Sequence, residues 1–187
     1  MVLDNNLQFE RGGTFAGASG MTLTDISIEH LVGKTYAVKD TEHGTGEEVI
    51  LRLVKNDSGS AITCANQIVK FGVDAKDFGR YVDGTTSIRG QIGLPIDDAY
   101  ASGFVIPDND YFYVVQKGPC NVATHGSSMD VLAHEPVTTS ATGTLGGWLA
   151  SYTEFILGTL DADARTISTT ARVWVDAKLY NVSGSGT

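Results

Sequence analysis

Cysteine, histidine and acidic residues lie close together after residue 119, and their types would suit covalent catalysis. Cys120, His125 and Asp130 occur in the order nucleophile, base and acid, three groups that such catalysis must bring together in space. A chain with 22 acidic residues also produces this order by chance. Paired aspartates within residues 97–98 and 161–163 suit turns better than the opposed carboxylates of a glycosidase. We therefore predict no catalytic residue and a protein that is not an enzyme.

Metal binding has two candidate positions in the sequence. His125 and His134 flank a loop near Cys120, and folding could gather them, although a zinc site normally needs more closely clustered ligands. Residues 108–110 (DND) offer oxygen ligands suited to calcium, but no further ligands follow at the intervals of a calcium loop. Loop histidines and turn-forming Asx residues are the simpler interpretation. No metal and no cofactor is predicted.

A strand over residues 111–115 (YFYVV) is the element around which we expect the chain to be organised. The stretch is aromatic or β-branched throughout, which favours a strand, and its continuous apolar character predicts burial on both faces. A Pro-Asx turn precedes it, so residues 104–106 are expected to form a hairpin with it. Residues 117–119 (KGP) are expected to end it.

Further strands are predicted on both sides of this element. Residues 48–55 and 61–71 are expected to form a hairpin across the turn NDSGS, and residues 21–32 alternate between apolar and polar side chains. Residues 171–180 alternate likewise, with Trp174 on the polar side. Pro136 makes residues 131–139 an edge strand at best. The sequence predicts an all-β fold, a β-sandwich or barrel of short antiparallel strands.

The domain organisation follows from composition. Residues 1–20 are glycine-rich and are expected to form an extended N-terminal arm, either disordered or ordered against a neighbouring subunit. Phe9 and Phe15 favour the second alternative, because a free tail needs no apolar anchors. Residues 21–182 are predicted to form a single β domain, and residues 183–187 a flexible C-terminus.

Charge and cysteine usage restrict the class of partner. The 187-residue chain has a formal charge of −9, which argues against binding to a phosphate backbone, so no nucleic acid is expected. No stretch approaches the roughly 18 apolar residues of a membrane span, and no signal peptide is recognisable, so we expect no membrane contact and synthesis in a cytoplasm. Cys64 and Cys120 form either one disulfide or, as we favour, two buried thiols.

Aromatic residues outside the central strand raise the hypothesis of a binding surface. They would line either a sugar-binding face or a subunit interface, because aromatic side chains bury a large area at a low cost in entropy. Ordinary core and loop-covering positions are an equally good interpretation. The residues concerned are Tyr81, Tyr100, Trp148, Tyr152 and Trp174.

Three stretches of the sequence resemble structural proteins of tailed-bacteriophage heads. GTGEEVILRLVKNDSGSAI (44–62) is similar to the early part of such proteins. YFYVVQKGPCNV (111–122), followed by AHEPVTTSATGTLG (133–146), resembles small capsid decoration, or cement, proteins. FILGTLDADARTISTTARVWVDAKLY (155–180) is similar to their closing hairpin. The resemblance extends over residues 44–180.

The resemblance implies a capsid decoration protein that binds the outside of a phage head and stabilises the lattice of the major capsid protein. It implies a homo-oligomer, with a trimer favoured, that needs no cofactor and resides on the virion exterior. The contact residues expected are Phe9 and Phe15 in the arm, together with Trp148 and Trp174. The alternative from the aromatic residues is a carbohydrate-binding β-sandwich of a phage tail or microbial surface.

Overall fold

The computed structural model describes residues 28–40, 43–74, 76–125, 131–147, 156–161 and 170–177. Within these ranges the regular structure is twelve strands and short 3-10 turns, which confirms the all-β prediction. The strands are β1 (Thr35–Lys39), β2 (Glu48–Asn56), β3 (Ile62–Thr63), β4 (Ile68–Phe71), β5 (Tyr81–Thr85), β6 (Gly93–Pro95), β7 (Val105–Ile106), β8 (Tyr111–Ala123), β9 (Pro136–Thr139), β10 (Leu145–Gly147), β11 (Gly158–Leu160) and β12 (Thr170–Asp176). Across the described part of the chain, no helix has the length and apolar character needed to cross a membrane.

Strand β8 connects two groups of strands. Its first half pairs with β2 and its second half with β12, both antiparallel, over 13 residues in all. Four consecutive side chains, from Phe112 to Val115, are at most 2% exposed. Successive side chains of a strand point to opposite faces, so burial of all four means that both faces are covered. The prediction of a doubly buried central strand is confirmed.

The strand continues where the sequence predicted its end. Gly118 has a φ of +107°, and a Cβ there would lie 3.2 Å from the carbonyl oxygen of Glu48, so only glycine fits this position without strain. Pro119 follows inside the strand, where it lies opposite Trp174. The register between β2 and β8 shifts between Ile50 and Leu51, opposite Lys117 and Val115, so a β-bulge lies where β8 leaves β2. The KGP sequence therefore marks the change of partner along β8.

The two ends of the strand order both lie next to β8. The strand order is β10-β9-β11-β12-β8-β2-β5-β4-β6, with β1 beside β2, and β3 pairs separately with β7. The ladder between β2 and β5 is parallel, and the other ladders among the described strands are antiparallel. Isolated bridges join Ile96 to Val114 and Thr124 to Leu145. The sheet thus curls back onto β8 from both sides and encloses the core.

Both predicted hairpins are wrong. Residues 61–71 contribute β3 and β4 instead of returning along β2, and β7 pairs with β3 instead of β8. The buried side chain of Asn56 lies between the two turns, and its Nδ2 donates to the carbonyl oxygens of Ser60, Ile106 and Pro107. This amide holds the two turns side by side, so β3, which follows the first turn, lies beside β7, which precedes the second.

Two other local predictions are corrected and one is confirmed. Strand β9 lies between β10 and β11, so it is not an edge; Pro136 is its first residue, where a missing N–H is tolerated. Residues Ile28–Leu31 form a 3-10 helix instead of continuing a strand, and residues 21–27 lie outside the described ranges. Strand β12 alternates as predicted, with Trp174 half-buried between the exposed Arg172 and Asp176.

Candidate functional site

Cys120 occupies a position unsuited to a nucleophile. Its side chain is fully buried, and Sγ lies 3.7 Å from the carbonyl oxygens of Ile96 and Asn121. His125 lies at the end of β8, where Nδ1 is 3.3 Å from the hydroxyl of Thr144. Asp130 lies outside the described residues. A substrate cannot reach a sulfur atom that the core covers completely, so this thiol does not support covalent catalysis.

The other chemical candidates from the sequence have structural roles where they are described. Cys64 and Cys120 are both buried thiols, so the disulfide alternative is wrong, and burial raises the pKa of the Cys64 thiol to about 11. Asp108 accepts hydrogen bonds from the Gly59 N–H and the Asn109 side chain, as expected of a turn residue. In the described ranges, no group of three or more His, Cys, Asp or Glu side chains is arranged to hold a metal ion.

A buried cluster centred on His43 is the most concentrated set of titratable groups described. It joins the loop between β1 and β2, the turn after β6, and β8. The imidazole Nδ1 lies 3.2 Å from Asp40 Oδ1, and Nε2 lies 2.8 Å from Asp98 Oδ2. Asn121 places its Nδ2 3.1 Å from the same Nε2 and donates its backbone N–H to Asp98. The three side chains of His43, Asp40 and Asp98 are at most 5% exposed.

Both ring nitrogens of His43 lie within hydrogen-bond distance of other side chains of the protein. We call the cluster of His43, Asp40, Asp98 and Asn121 the clamp. A histidine acting as a general base needs one nitrogen that faces a substrate. Here each nitrogen faces a carboxylate, and the ring is buried. The cluster therefore fastens the loop between β1 and β2 to β8. The sequence predicts residues 40–47 only as a polar loop; Asp98 is 55 residues away from His43, so local spacing contains no signal of the contact.

Asp40 is the most strongly held carboxylate of the clamp. Burial alone would raise its pKa, but hydrogen bonds from the Thr45 hydroxyl and from the backbone and side chain of His43 outweigh burial and hold the pKa well below its usual value. The folded state therefore binds a proton at Asp40 less readily than the unfolded chain does. Its stabilising effect is complete above an unfolded pKa of about 3.9 and is lost as pH falls below that value through the lower folded pKa.

Replacing Asp40 by asparagine is expected to lower the free energy of unfolding by about 2 kcal/mol at pH 7, because charge-assisted hydrogen bonds are lost. Below pH 4 the wild-type protein should lose stability more steeply than the variant, so the difference between them should narrow. Urea unfolding at a series of pH values measures this. Glu47→Gln, an exposed change in the same loop, should leave the stability at pH 7 unchanged. A constant difference between wild type and Asp40→Asn across the acid range would contradict the assignment.

A second polar cluster fixes the place where the N-terminal segment joins the sheet. Glu29, in the first 3-10 helix, accepts hydrogen bonds from the hydroxyls of Tyr81 on β5 and Tyr111 on β8. The side chains of Lys55 and Arg80 lie over the rings of Tyr111 and Tyr81 at 6.0 and 5.2 Å. Burial alone would raise the pKa of Glu29, but the two tyrosine hydroxyls and the two cations lower it overall. The anchored carboxylate holds the chain at the end of β2, level with Lys55.

The proposed aromatic surface is not assembled from the residues that are described. Tyr100 is buried, and its hydroxyl accepts the backbone N–H of Tyr113 at 3.1 Å, so its assignment as an exposed aromatic is wrong. Tyr81 and Trp174 are half-buried, but they lie on β5 and β12, which β2 and β8 separate in the sheet. The expected contact residues Phe9, Phe15 and Trp148, and the further aromatic candidate Tyr152, lie outside the described ranges.

An open acidic pocket of about 210 Å³ lies beside β5, and Tyr81 forms part of its wall. Four aspartates line it: Asp57, Asp74, Asp77 and Asp83. The side chain of Val73 at the pocket is 98% exposed. The pocket adds to the negative surface charge of the protein.

The comparisons with known proteins identify no family. No protein-family model matches the chain, and no curated protein matches it. Among solved structures, the crystal structure of the head fiber gp8.5 N base of bacteriophage phi29 is similar with a TM-score of 0.39 and 14% sequence identity. The alignment covers 71% of this chain and 98% of that one. A TM-score this low does not establish a shared fold, and no function follows from it.

Proposed function

We propose that this protein is a structural component of a bacteriophage head, a decoration or cement protein. In this role it binds the outer surface of the head, stabilises the lattice of the major capsid protein and acts as a homotrimer. The sequence resemblance over residues 44–180 is the origin of the proposal. Its contacts include the N-terminal arm with Phe9 and Phe15, and the aromatic side chains of Trp148 and Trp174.

The observation that best supports a mechanical role is the position of β8 in both halves of one continuous sheet. The strand pairs along its length with β2 and β12, and bridges join it to both ends of the sheet. Pulling the two halves apart therefore requires breaking hydrogen bonds along β8 together with the core that both halves share. A protein that reinforces a shell against internal pressure needs a body of this kind.

The chemistry of the described residues supports a role in binding and not in catalytic turnover. The buried His43 clamp and the buried Cys120 both stabilise the fold, and neither faces solvent. The acidic surface would disfavour adhesion to nucleic acid, which suits a protein on the outside of a container packed with DNA.

Deleting residues 1–20 tests the proposed role of the arm. The truncated protein should unfold at the same urea concentration as the full chain, because the described strands all begin at Thr35 or later, yet it should co-sediment with phage heads about tenfold more weakly. The heads are those of the protein's own phage, assembled without it. Unchanged binding by a correctly folded truncated protein would refute the arm assignment.

A further inference from the structure

The geometry of the clamp determines how many protons it must hold. Nδ1 of His43 lies 3.2 Å from Asp40 Oδ1, and Nε2 lies 2.8 Å from Asp98 Oδ2, so each ring nitrogen is within hydrogen-bond distance of a carboxylate. An ionised carboxylate only accepts hydrogen bonds, and a neutral imidazole carries a single N–H. A neutral ring between two ionised carboxylates could therefore make only one of these two bonds.

Both carboxylates already accept other hydrogen bonds. Asp40 accepts the Thr45 hydroxyl and the backbone N–H groups of His43 and Thr45. Burial alone would raise the pKa of Asp40, but these bonds hold it well below its usual value, so this group is ionised at neutral pH. Asp98 Oδ2 accepts the backbone N–H of Asn121 at 2.7 Å. One proton in each of the two contacts with the ring is therefore needed to bond both carboxylates to it.

We propose that the clamp takes up one proton when the protein folds, and that loss of this proton breaks the contact between the loop that carries His43 and the turn that carries Asp98. With two protons on the ring, the cluster has one net negative charge instead of two. The three side chains are at most 5% exposed, and burying charge without a compensating partner is costly. The second proton lets these groups be buried together.

The groups that face the ring come from three elements. Among the described residues, the loop between β1 and β2 contributes the charge of Asp40, the turn after β6 contributes that of Asp98, and β8 contributes the uncharged amide of Asn121. The two charges have the same sign, and both attract a proton to the ring.

Asn121 supplies a partner for the deprotonated state. Its Nδ2 lies 3.1 Å from Nε2, the ring nitrogen that also faces Asp98. An amide nitrogen only donates, so it cannot bond to Nε2 while that nitrogen carries a proton. Once the proton leaves, Nε2 accepts from Asn121, and Asp98 faces a nitrogen lone pair. The ring then stays attached to β8, whereas repulsion moves Asp98 away from it.

The direction of the pH dependence follows from the number of protons in each state. A histidine of the unfolded chain is neutral above a pKa of about 6.5, so the same three side chains then hold one proton between them. The folded clamp holds two. The stabilising effect of the extra proton is complete below about pH 6.5 and is lost as the pH rises and the folded clamp releases it. A difference of one bound proton changes the unfolding equilibrium constant by up to about tenfold per pH unit.

Other buried groups set the upper limit of the useful pH range. Burial raises the pKa of the Cys64 thiol to about 11, and burial together with the bond to Glu29 raises the pKa of Tyr111 to about 12. Such groups also lower stability as the pH rises, but chiefly above the ordinary pKa values of about 8.5 for a thiol and about 10 for a phenol. Measurements between pH 6 and pH 8 therefore report mainly on the clamp.

Urea unfolding of the full-length protein over this range tests the inference. The unfolding equilibrium constant of the wild-type protein should rise about tenfold from pH 6 to pH 8. In His43→Gln and in Asp98→Asn the rise should be no more than about twofold, because neither variant places an imidazole between two carboxylates. His125→Gln, which replaces an exposed histidine at the end of β8, is the matched control and should keep the wild-type rise.

Nitrogen-15 spectra of the imidazole rings give a readout that a merely structural role would not change. At pH 7 both ring nitrogens of His43 should carry a proton in the wild-type protein. In Asp98→Asn only one should, because an amide at this position can donate to Nε2 and needs no proton from the ring. Asparagine has nearly the same shape as aspartate and keeps an oxygen that accepts the backbone N–H of Asn121, so this variant should fold.

Three results would overturn the inference. The first is a wild-type unfolding constant that does not change between pH 6 and pH 8. The second is a rise that persists in both His43→Gln and Asp98→Asn. The third is a wild-type ring of His43 with a single proton at pH 7, and this result decides even if neither variant folds. The measurements need no phage heads, so their outcome leaves the proposed function untouched.

Discussion

Phe112→Ala is expected to lower the free energy of unfolding by about 3–5 kcal/mol, the range for removing a large aromatic side chain from a core. Phe112 is the largest side chain that is fully buried among the described residues, and it lies on β8 opposite Val54 of β2. Because β8 belongs to both halves of the sheet, the loss should destabilise the whole body. Urea unfolding followed by far-ultraviolet circular dichroism and by tryptophan fluorescence should give coincident, shifted transitions.

The control for Phe112→Ala is an apolar residue outside the core. Ile88 is 63% exposed, and Ile88→Ala should change the free energy of unfolding by no more than about 0.5 kcal/mol. Separate transitions for the two signals would mean that the halves unfold independently, and the single stiff body proposed for head reinforcement would be wrong.

Gly158→Ala is expected to cost about 3 kcal/mol or more, at the upper end of overpacking effects. A Cβ at this position would lie 2.2 Å from the carbonyl oxygen of Trp174 and 2.9 Å from the Cα of Val175. Both neighbours are backbone atoms of the paired strand β12, so they cannot move aside as a flexible side chain would. Strands β11 and β12 must separate, and the environment of Trp174 must change with them.

Gly59 provides the matched control for the glycine substitution. It has a φ of +74°, and a Cβ added there would have no atom within 4 Å, so Gly59→Ala adds only the left-handed backbone cost of about 1–2 kcal/mol. Urea midpoints and tryptophan emission of both variants give the comparison. Equal stabilities for the two variants would show that β11 does not pack against β12 as closely as described.

Strands could be predicted from sequence where the pattern of apolar residues along the chain alone indicates which side chains are buried. The continuous apolar run of β8 and the alternation of β12 each depend only on neighbours along the chain, and both are predicted correctly. Which strands pair with each other is not predicted correctly, because strand pairing depends on contacts between residues that are distant in sequence. The buried amide of Asn56 bonds both to Ser60, just before β3, and to Ile106 on β7, and Ile106 is 50 residues away in sequence.

The polar clusters illustrate the same limit. The clamp at His43 needs Asp98 and Asn121, and the anchor at Glu29 needs Tyr81 and Tyr111; each set meets only after the sheet has formed. Sequence spacing instead favours Cys120 and its neighbouring acids, because proximity along the chain is the signal that a sequence offers. The fold buries that cysteine in the core and gathers a different set of residues.

The most direct test of the head-binding role is the heat stability of phage heads with and without this protein. Filled heads of its own phage, produced without the protein, are mixed with the purified full-length chain and heated while DNA release is followed with a dye. The protein should bind saturably, in a fixed number of copies per head, and should raise the temperature at which DNA escapes. Heads that neither bind the protein saturably nor become more resistant to heat would contradict the account.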